Sequence, residues 1–257
     1  MSEKLFMNYL KGFSKIISKK ETVKTSTNVE SYRSHAYHMP SGSSYGEAGF
    51  VKDLARHQAK IEYLKNFDLG SNSKVLDIGC GFASFGYLLL TQILEADGHY
   101  LGVDVSSGRI KRAIDLMKQE KLNCQLEVIK DMNDCLKFKG IDWITIFSVF
   151  THIFNEDIAN YLLICNQILE KGGWLCFSIL DIETAPGLSY LNEMVNRKSY
   201  QRFRTEFYNI HSLDYMKALL KYAGFQLLDS SFLPPNIQKI CIAEKIENKL
   251  NLGNSRY

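Results

Sequence analysis

The run from Lys74 to Gly86, KVLDIGCGFASFG, constrains this chain more than any other stretch. Val75, Leu76 and Ile78 form a short apolar run, the pattern of a strand buried on both faces of a parallel sheet. Gly79 and Gly81 follow, and without a Cβ they let the backbone turn sharply and approach a ligand closely. Phe82 to Leu90 then reads as a helix. A glycine turn between a strand's carboxyl end and a helix's amino end is where open α/β sheets bind nucleotide-like ligands.

Dinucleotide-binding turns use G-x-G-x-x-G, but Ser84 stands at the third glycine position and an acid, Asp77, precedes the first glycine by two residues. The D-x-G-x-G pattern resembles motif I of the class I S-adenosylmethionine (SAM)-dependent methyltransferases. The resemblance implies that Asp77 serves the amino end of the methionine moiety and that Gly79, Cys80 and Gly81 make room for the donor. Ala83 stands where many members carry a third glycine. The alternative is a tight strand-to-helix turn without a ligand.

At 257 residues and 46% hydrophobic content the chain can bury a sizeable core. The formal net charge of +3 is too small to imply a nucleic-acid binder, where a concentrated basic face is expected. The cysteines, Cys80, Cys124, Cys135, Cys165, Cys176 and Cys241, include no C-x-x-C pair, so they read as thiols of a reducing compartment and not as disulfides or a zinc site. No C-x-x-x-C-x-x-C run suggests radical SAM chemistry. With no run of about eighteen apolar residues and no signal-peptide pattern, the expectation is a soluble, cytoplasmic protein without membrane insertion.

Before the glycine turn, Lys4 to Lys19 is a basic amphipathic helical pattern, with Leu5, Phe6, Tyr9, Leu10, Phe13, Ile16 and Ile17 on one stripe. Such a helix caps its own domain or packs on a second copy in a homodimer; a membrane surface is the less favoured partner. Glu21 to Glu30 is a polar linker. Tyr32 to Tyr45, YRSHAYHMPSGSSY, is either an aromatic surface loop or a lid; on the lid reading Tyr32 and Arg33 reach the donor and Tyr45 the acceptor. His35 and His38 lack the acid or cysteine partners of a metal site. Glu47 to Phe67 is helical in pattern.

After the turn, Tyr100 to Val105 is a second buried strand ending in Asp104, a little over twenty residues past Gly79. An acid at that offset reaches ribose hydroxyls in such folds, because a carboxylate accepts two hydrogen bonds from a vicinal diol. Val105 belongs to the same expected contact. Ser106 or Ser107 caps the helix Gly108 to Lys121. Cys124 to Lys130 is the third strand. The resemblance then places Asp131 on the adenine amine and Met132 against the ring; the alternative is a solvated turn.

Asp142 to Val149 is the fourth strand, continuing as the SVFTHI run that resembles motif IV and its following segment. It implies Ser148 beside the donor, Phe150 beside the acceptor, and His152 as the candidate base, since imidazole titrates near neutral pH. Asp181 and Glu183 are alternative bases, and alignment without a base is a third possibility. The run lacks the Asn/Asp-Pro-Pro-Tyr/Phe signature of enzymes that methylate exocyclic amines of bases or glutamine amides.

Asn155 is expected to cap the helix Glu156 to Leu169, with Gly172 and Gly173 ending it before a strand at Trp174 to Leu180. LEKGGWL resembles the family's L-K-P-G-G-x-L junction. Residues 181–210 form an insertion in which Arg202, Arg204 and Tyr208 are candidate contacts to a phosphate, carboxylate or nucleotide-linked acceptor; each arginine is equally well a solvated surface residue. Ser212 caps a helix to Tyr222, and Phe225 to Ser231 with Lys239 to Glu244 should pair as an antiparallel hairpin.

The implied architecture is an α/β, Rossmann-like, mostly parallel seven-stranded sheet with an antiparallel final strand, helices on both faces and an N-terminal helical cap. The segments are 1–46 as helix and lid, 47–245 as the methyltransferase domain, and 246–257 as a tail. The implied function is SAM-dependent methyl transfer without a metal, S-adenosylhomocysteine (SAH) being the product. The acceptor is a small molecule, foremost an oxygen of a saccharide, a surface-polysaccharide precursor or a phosphorylated metabolite. The alternatives are N-methylation of a small amine, RNA or protein, and an inactive SAM-binding regulatory subunit.

Overall fold

The computed structural model describes residues 45–95, 98–196, 209–234 and 237–248. The expected helix at 4–19 and most of the segment 32–45 lie outside the described residues, as do Tyr32, Arg33, Arg202, Arg204 and Tyr208. Helix α1 (Tyr45–Leu64) leads into β1 (Lys74–Ile78), α2 (Ser84–Gln92), β2 (His99–Asp104), α3 (Ser107–Gln119) and β3 (Gln125–Val128). A 3₁₀ turn (Met132–Lys137) precedes β4 (Ile141–Ile146), and a second (Phe150–His152) precedes α4 (Asn155–Ile168). Then come β5 (Leu169–Ile179), α5 (Ala185–Asn196), α6 (Leu213–Tyr222), β6 (Phe225–Phe232) and β7 (Lys239–Lys245).

These strands form one sheet of order β3-β2-β1-β4-β5-β7-β6. Pairing is parallel from β3 through β5, and β7 runs antiparallel to both β5 and β6. The sheet therefore has the expected topology, with its direction of growth reversing between β1 and β4. That switch opens a crevice above the carboxyl ends of the two strands.

Each face of the sheet is covered because its strands are apolar on both sides. On one face Ile61 and Leu64 of α1, Phe85 and Leu89 of α2, and Ala113 and Met117 of α3 pack over Val75, Tyr100 and Trp143. On the other, Ile158, Leu162 and Cys165 of α4 and Met216, Leu219 and Leu220 of α6 pack over Leu76, Ile144 and Phe177. Trp143 and Trp174, paired across β4 and β5, stack at 5.3 Å. All six cysteines are free thiols, with Cys135, Cys165, Cys176 and Cys241 buried.

Several boundaries differ from the sequence reading. Asn155 is the first residue of α4 and not its cap; Phe154 occupies that position in an extended conformation, without a side-chain capping bond. Helix α4 ends at Ile168, and β5 begins at once instead of after the glycines. Leu169 pairs with Ile141, the register then shifts, and Trp174 pairs with Trp143. Gly172, at φ +75°, sits inside that irregularity. A glycine pair that reads as a helix stop is a strand bulge here. Ser106, not Ser107, caps α3, accepting from the Arg109 amide at 3.3 Å. The insertion begins as helix α5.

Candidate active site

The turn after β1 is held from below by its own amides. Gly79 and Cys80 both donate to the Val103 carbonyl, at 2.7 and 3.0 Å, and Ala83 donates to the Cys80 carbonyl at 2.8 Å. The Gly81 amide donates to Asp104 Oδ2 at 3.0 Å. These are the N–H groups a phosphate-binding turn would present to its ligand. Committing them to the protein, one of them to a carboxylate, disfavours a pyrophosphate.

Each glycine has a distinct reason. Gly79 lies at φ +75°, and a Cβ there would fall 2.3 Å from Val149 Cγ2, so the turn needs glycine to let the segment after β4 close over it. Gly81 lies at φ +58°, and a Cβ there would meet no atom within 4 Å. That open side is the cradle in which a ligand can approach the backbone. Ala83, where the family often has glycine, keeps the left-handed conformation at φ 56°.

Two buried acids flank the turn. Asp77 is 3% exposed and accepts from Tyr100 Oη at 2.7 Å and Thr145 Oγ1 at 2.8 Å. Burial raises its pKa to about 6; the two hydroxyls and the Lys60 ammonium of α1 offset part of that rise, and Asp104 adds to it. Asp104 is equally buried and accepts from the Ser106 amide at 2.8 Å as well as from Gly81. Its pKa is raised chiefly by burial, against the pull of Arg109 and the backbone donors. Each carboxylate oxygen keeps a lone pair beyond the bond it makes here. Two acids beneath one turn favour a cationic ligand over an anionic one.

Of the other expected residues, Cys80, Val105, Asp131, Met132, Ser148, Phe150 and His152 follow the carboxyl ends of β1 to β4. Cys80 sits half-buried in the turn, with burial pushing its thiol well above its ordinary value. Val105 is half-buried just past Asp104. Asp131 is exposed and caps the first 3₁₀ turn, accepting from the Asn133 amide at 2.8 Å. Met132 is 2% exposed and belongs to the core cluster around Ile129 and Phe138. Ser148 is exposed at the end of β4, in the left-handed region at φ 58°. Phe150 is fully buried against Phe177 and Tyr161, so its ring belongs to the core and its carbonyl is the part that faces other groups. His152 closes the second 3₁₀ turn half-buried, its amide donating to the Val149 carbonyl at 2.8 Å. Tyr45 opens α1, but its side chain is outside what is described.

The sequence reading missed several polar groups. Tyr100 and Thr145 orient Asp77 from the two strands beside β1. Ser178 and Gln238 contact Ser148 from β5 and from the residue before β7. His211, 2% exposed, bridges the segments after β4 and β5: its Nε2 donates to the Phe150 carbonyl at 3.1 Å, and its backbone pairs with Asp181. Burial lowers its pKa, so the ring is neutral near pH 7. Asp181, fully buried, forms an ion contact with Lys239 at 2.5 Å. The signal for such residues is a polar side chain inside an apolar run, as Thr145 is in DWITIF. Among the described residues no group of three or more His, Cys, Asp or Glu could hold a metal, and no helix is long and apolar enough to cross a membrane.

A family model described as "Methyltransferase domain" matches residues 52–230. The chain is 27% identical over 138 residues to a ubiquinone biosynthesis O-methyltransferase from Hydrogenovibrio crunogenus, and it spans about half the length of that relative (54%; 53% of this chain). The fold is similar to that of magnesium protoporphyrin IX methyltransferase from Synechocystis PCC 6803 (TM-score 0.59, 16% identity, 86% of this chain and 95% of that one). It is also similar to that of a SAM-dependent methyltransferase from Clostridium acetobutylicum (TM-score 0.59, 15% identity, 79% and 99%). The chain belongs to the methyltransferase-domain family and has the class I fold of the SAM-dependent enzymes.

Proposed function

We propose that this protein transfers a methyl group from SAM to an oxygen of a small molecule. The observation that carries the donor assignment is the glycine turn flanked by two buried carboxylates, with its amides turned inward and its open side at Gly81. That arrangement suits a ligand carrying a sulfonium and an ammonium and no phosphate. Asp104 is assigned to the ribose hydroxyls, Asp77 to the amino-acid end, and Asp131 to the adenine amine, in the order in which their strands lie across the sheet, while the Met132 side chain is core. When bound, SAM supplies a methyl carbon activated by its sulfonium sulfur, open to in-line displacement by the acceptor oxygen.

The chain's own task is alignment and exclusion of water. The SVFTHI segment packs on the turn through Val149, and His152 closes the 3₁₀ turn three residues further on, which supports it as the candidate base. In this reading its imidazole takes the proton that a hydroxyl acceptor loses. An oxygen acceptor is supported by the O-methyltransferase relative; a saccharide, surface-polysaccharide precursor or phosphorylated metabolite is supported by the arginines and aromatics of the insertion.

The first test is calorimetric titration with SAH and, in parallel, NAD. Micromolar SAH binding that Asp104→Ala abolishes, with no NAD binding, is the expected result. Incubation with methyl-labelled SAM and a panel of sugars, sugar phosphates, phenols and small amines follows, with products read by mass. Methylation of hydroxyl compounds alone is expected; methylation of amines alone overturns the oxygen assignment. With a working acceptor, His152→Ala should lower kcat by about 10²-fold or more. An unchanged kcat would remove the base.

A further inference from the structure

Ser148 directly precedes Val149, the residue that packs on the glycine turn, and its backbone is in a conformation serine rarely adopts. At φ 58° it lies in the left-handed region, where an L side chain is strained. Two bonds from distant segments meet it. Its amide donates to Ser178 Oγ at 2.8 Å, and its hydroxyl donates to Gln238 Oε1 at 3.1 Å. Ser178, fully buried on β5, donates its own hydroxyl to the same Gln238 oxygen at 2.5 Å. With Oε1 turned inward, both serine protons have an acceptor. The next residue, Val149, presses against the Cα of Gly79 closely enough to exclude a Cβ there. The conformation of Ser148 therefore sets how the segment after β4 sits on the glycine turn.

The order of the sheet says which part of the donor this concerns. Asp131 follows β3, Asp104 ends β2, the turn follows β1, and Ser148 follows β4, which is next in line. An elongated ligand with its adenosine over the first two strands places its amino-acid end over β1 and β4. We infer that Gln238, acting through Ser178 and Ser148, is a positioning residue that holds the Ser148 peptide in its left-handed conformation against the donor's amino-acid end. The inference rests on SAM being the donor and assigns a role to a residue ninety positions along the chain from Ser148.

The test uses full-length protein and two probes: SAH, and 5′-methylthioadenosine, which lacks the amino-acid end. Gln238→Leu should weaken SAH about ten-fold and change 5′-methylthioadenosine by less than about two-fold. Ser178→Ala should act in the same direction. Ser148→Gly removes the strain, since glycine adopts this φ freely. In that background Gln238→Leu should cost nothing further, a coupling that a loss of general stability would not produce. Equal weakening of both probes, no weakening of either, or a full cost persisting beside Ser148→Gly would each overturn the inference. A wild-type protein that failed to bind SAH would instead remove the donor assignment, a separate reading from the same titration.

Discussion

A buried acid held close to neutrality makes Asp77 costly, and the cost has a pH signature. The native state keeps its proton up to about pH 6, whereas the unfolded chain loses it near 3.8. Between those values the native state binds the extra proton, so stability falls as pH rises through the window and is level above it. The size is about 3 kcal/mol if this group acted alone. Lys60, Tyr100 and Thr145 limit the penalty and Asp104 enlarges it, so the charge is compensated only in part. Asp77→Asn should keep both hydroxyl contacts, since Tyr100 and Thr145 can donate to the amide oxygen or accept from its nitrogen. It is expected to flatten the pH 4 to 6 slope in urea unfolding and to raise stability at pH 7 by about 1–3 kcal/mol while weakening SAH. A slope that persists in the variant would assign the titration to another group.

Helix α2 meets Asp77 through a contact that a helix-propensity argument alone would misjudge. Gly86 lies within it, where alanine ordinarily gains about 1 kcal/mol. A Cβ at Gly86, however, would sit 2.1 Å from Tyr100 Cζ, inside the ring whose hydroxyl holds Asp77. Gly86→Ala should therefore destabilise by about 1–3 kcal/mol in urea unfolding and weaken SAH, because relief requires Tyr100 to move. A gain in stability would mean that α2 can shift without cost. The same elements show what was legible in the sequence. β1, β2 and β4 declared themselves as apolar runs, and Asp77, Gly79, Gly81 and Asp104 as local spacing around a turn. The partners of those acids did not. Tyr100 reaches Asp77 across 23 residues, Thr145 across 68, and Gln238 reaches Ser178 across 60. Register sets such pairs, and periodicity within one strand carries no trace of them. The start of β5 was hidden for a related reason: Lys171-Gly172-Gly173 has the chemistry of a helix stop, and only pairing with Ile141 and Trp143 makes it a bulge.

At the scale of the molecule, the groups assigned to the donor follow the carboxyl ends of neighbouring strands, β3, β2, β1 and β4. The turn follows β1, Asp104 closes β2 and the SVFTHI segment follows β4, while the sheet beneath them is buried on both faces. A ligand that bridges these loops ties together elements from β3 to β4 and stabilises the folded state by mass action. At a free concentration near 100 times its dissociation constant, SAH should add about 2.7 kcal/mol. For a domain of this size each kcal/mol moves the midpoint by about 2–4 °C, so a rise of about 5–10 °C is expected in a thermal melt. At equal concentration 5′-methylthioadenosine should shift the midpoint less, because it spans the adenosine side and leaves the β4 side untouched. NAD should shift it not at all, since the turn's amides are spent within the protein and its acids repel a pyrophosphate. Equal shifts from SAH and 5′-methylthioadenosine would confine the binding energy to the Asp104 side and leave Asp77 and Ser148 without a ligand to serve.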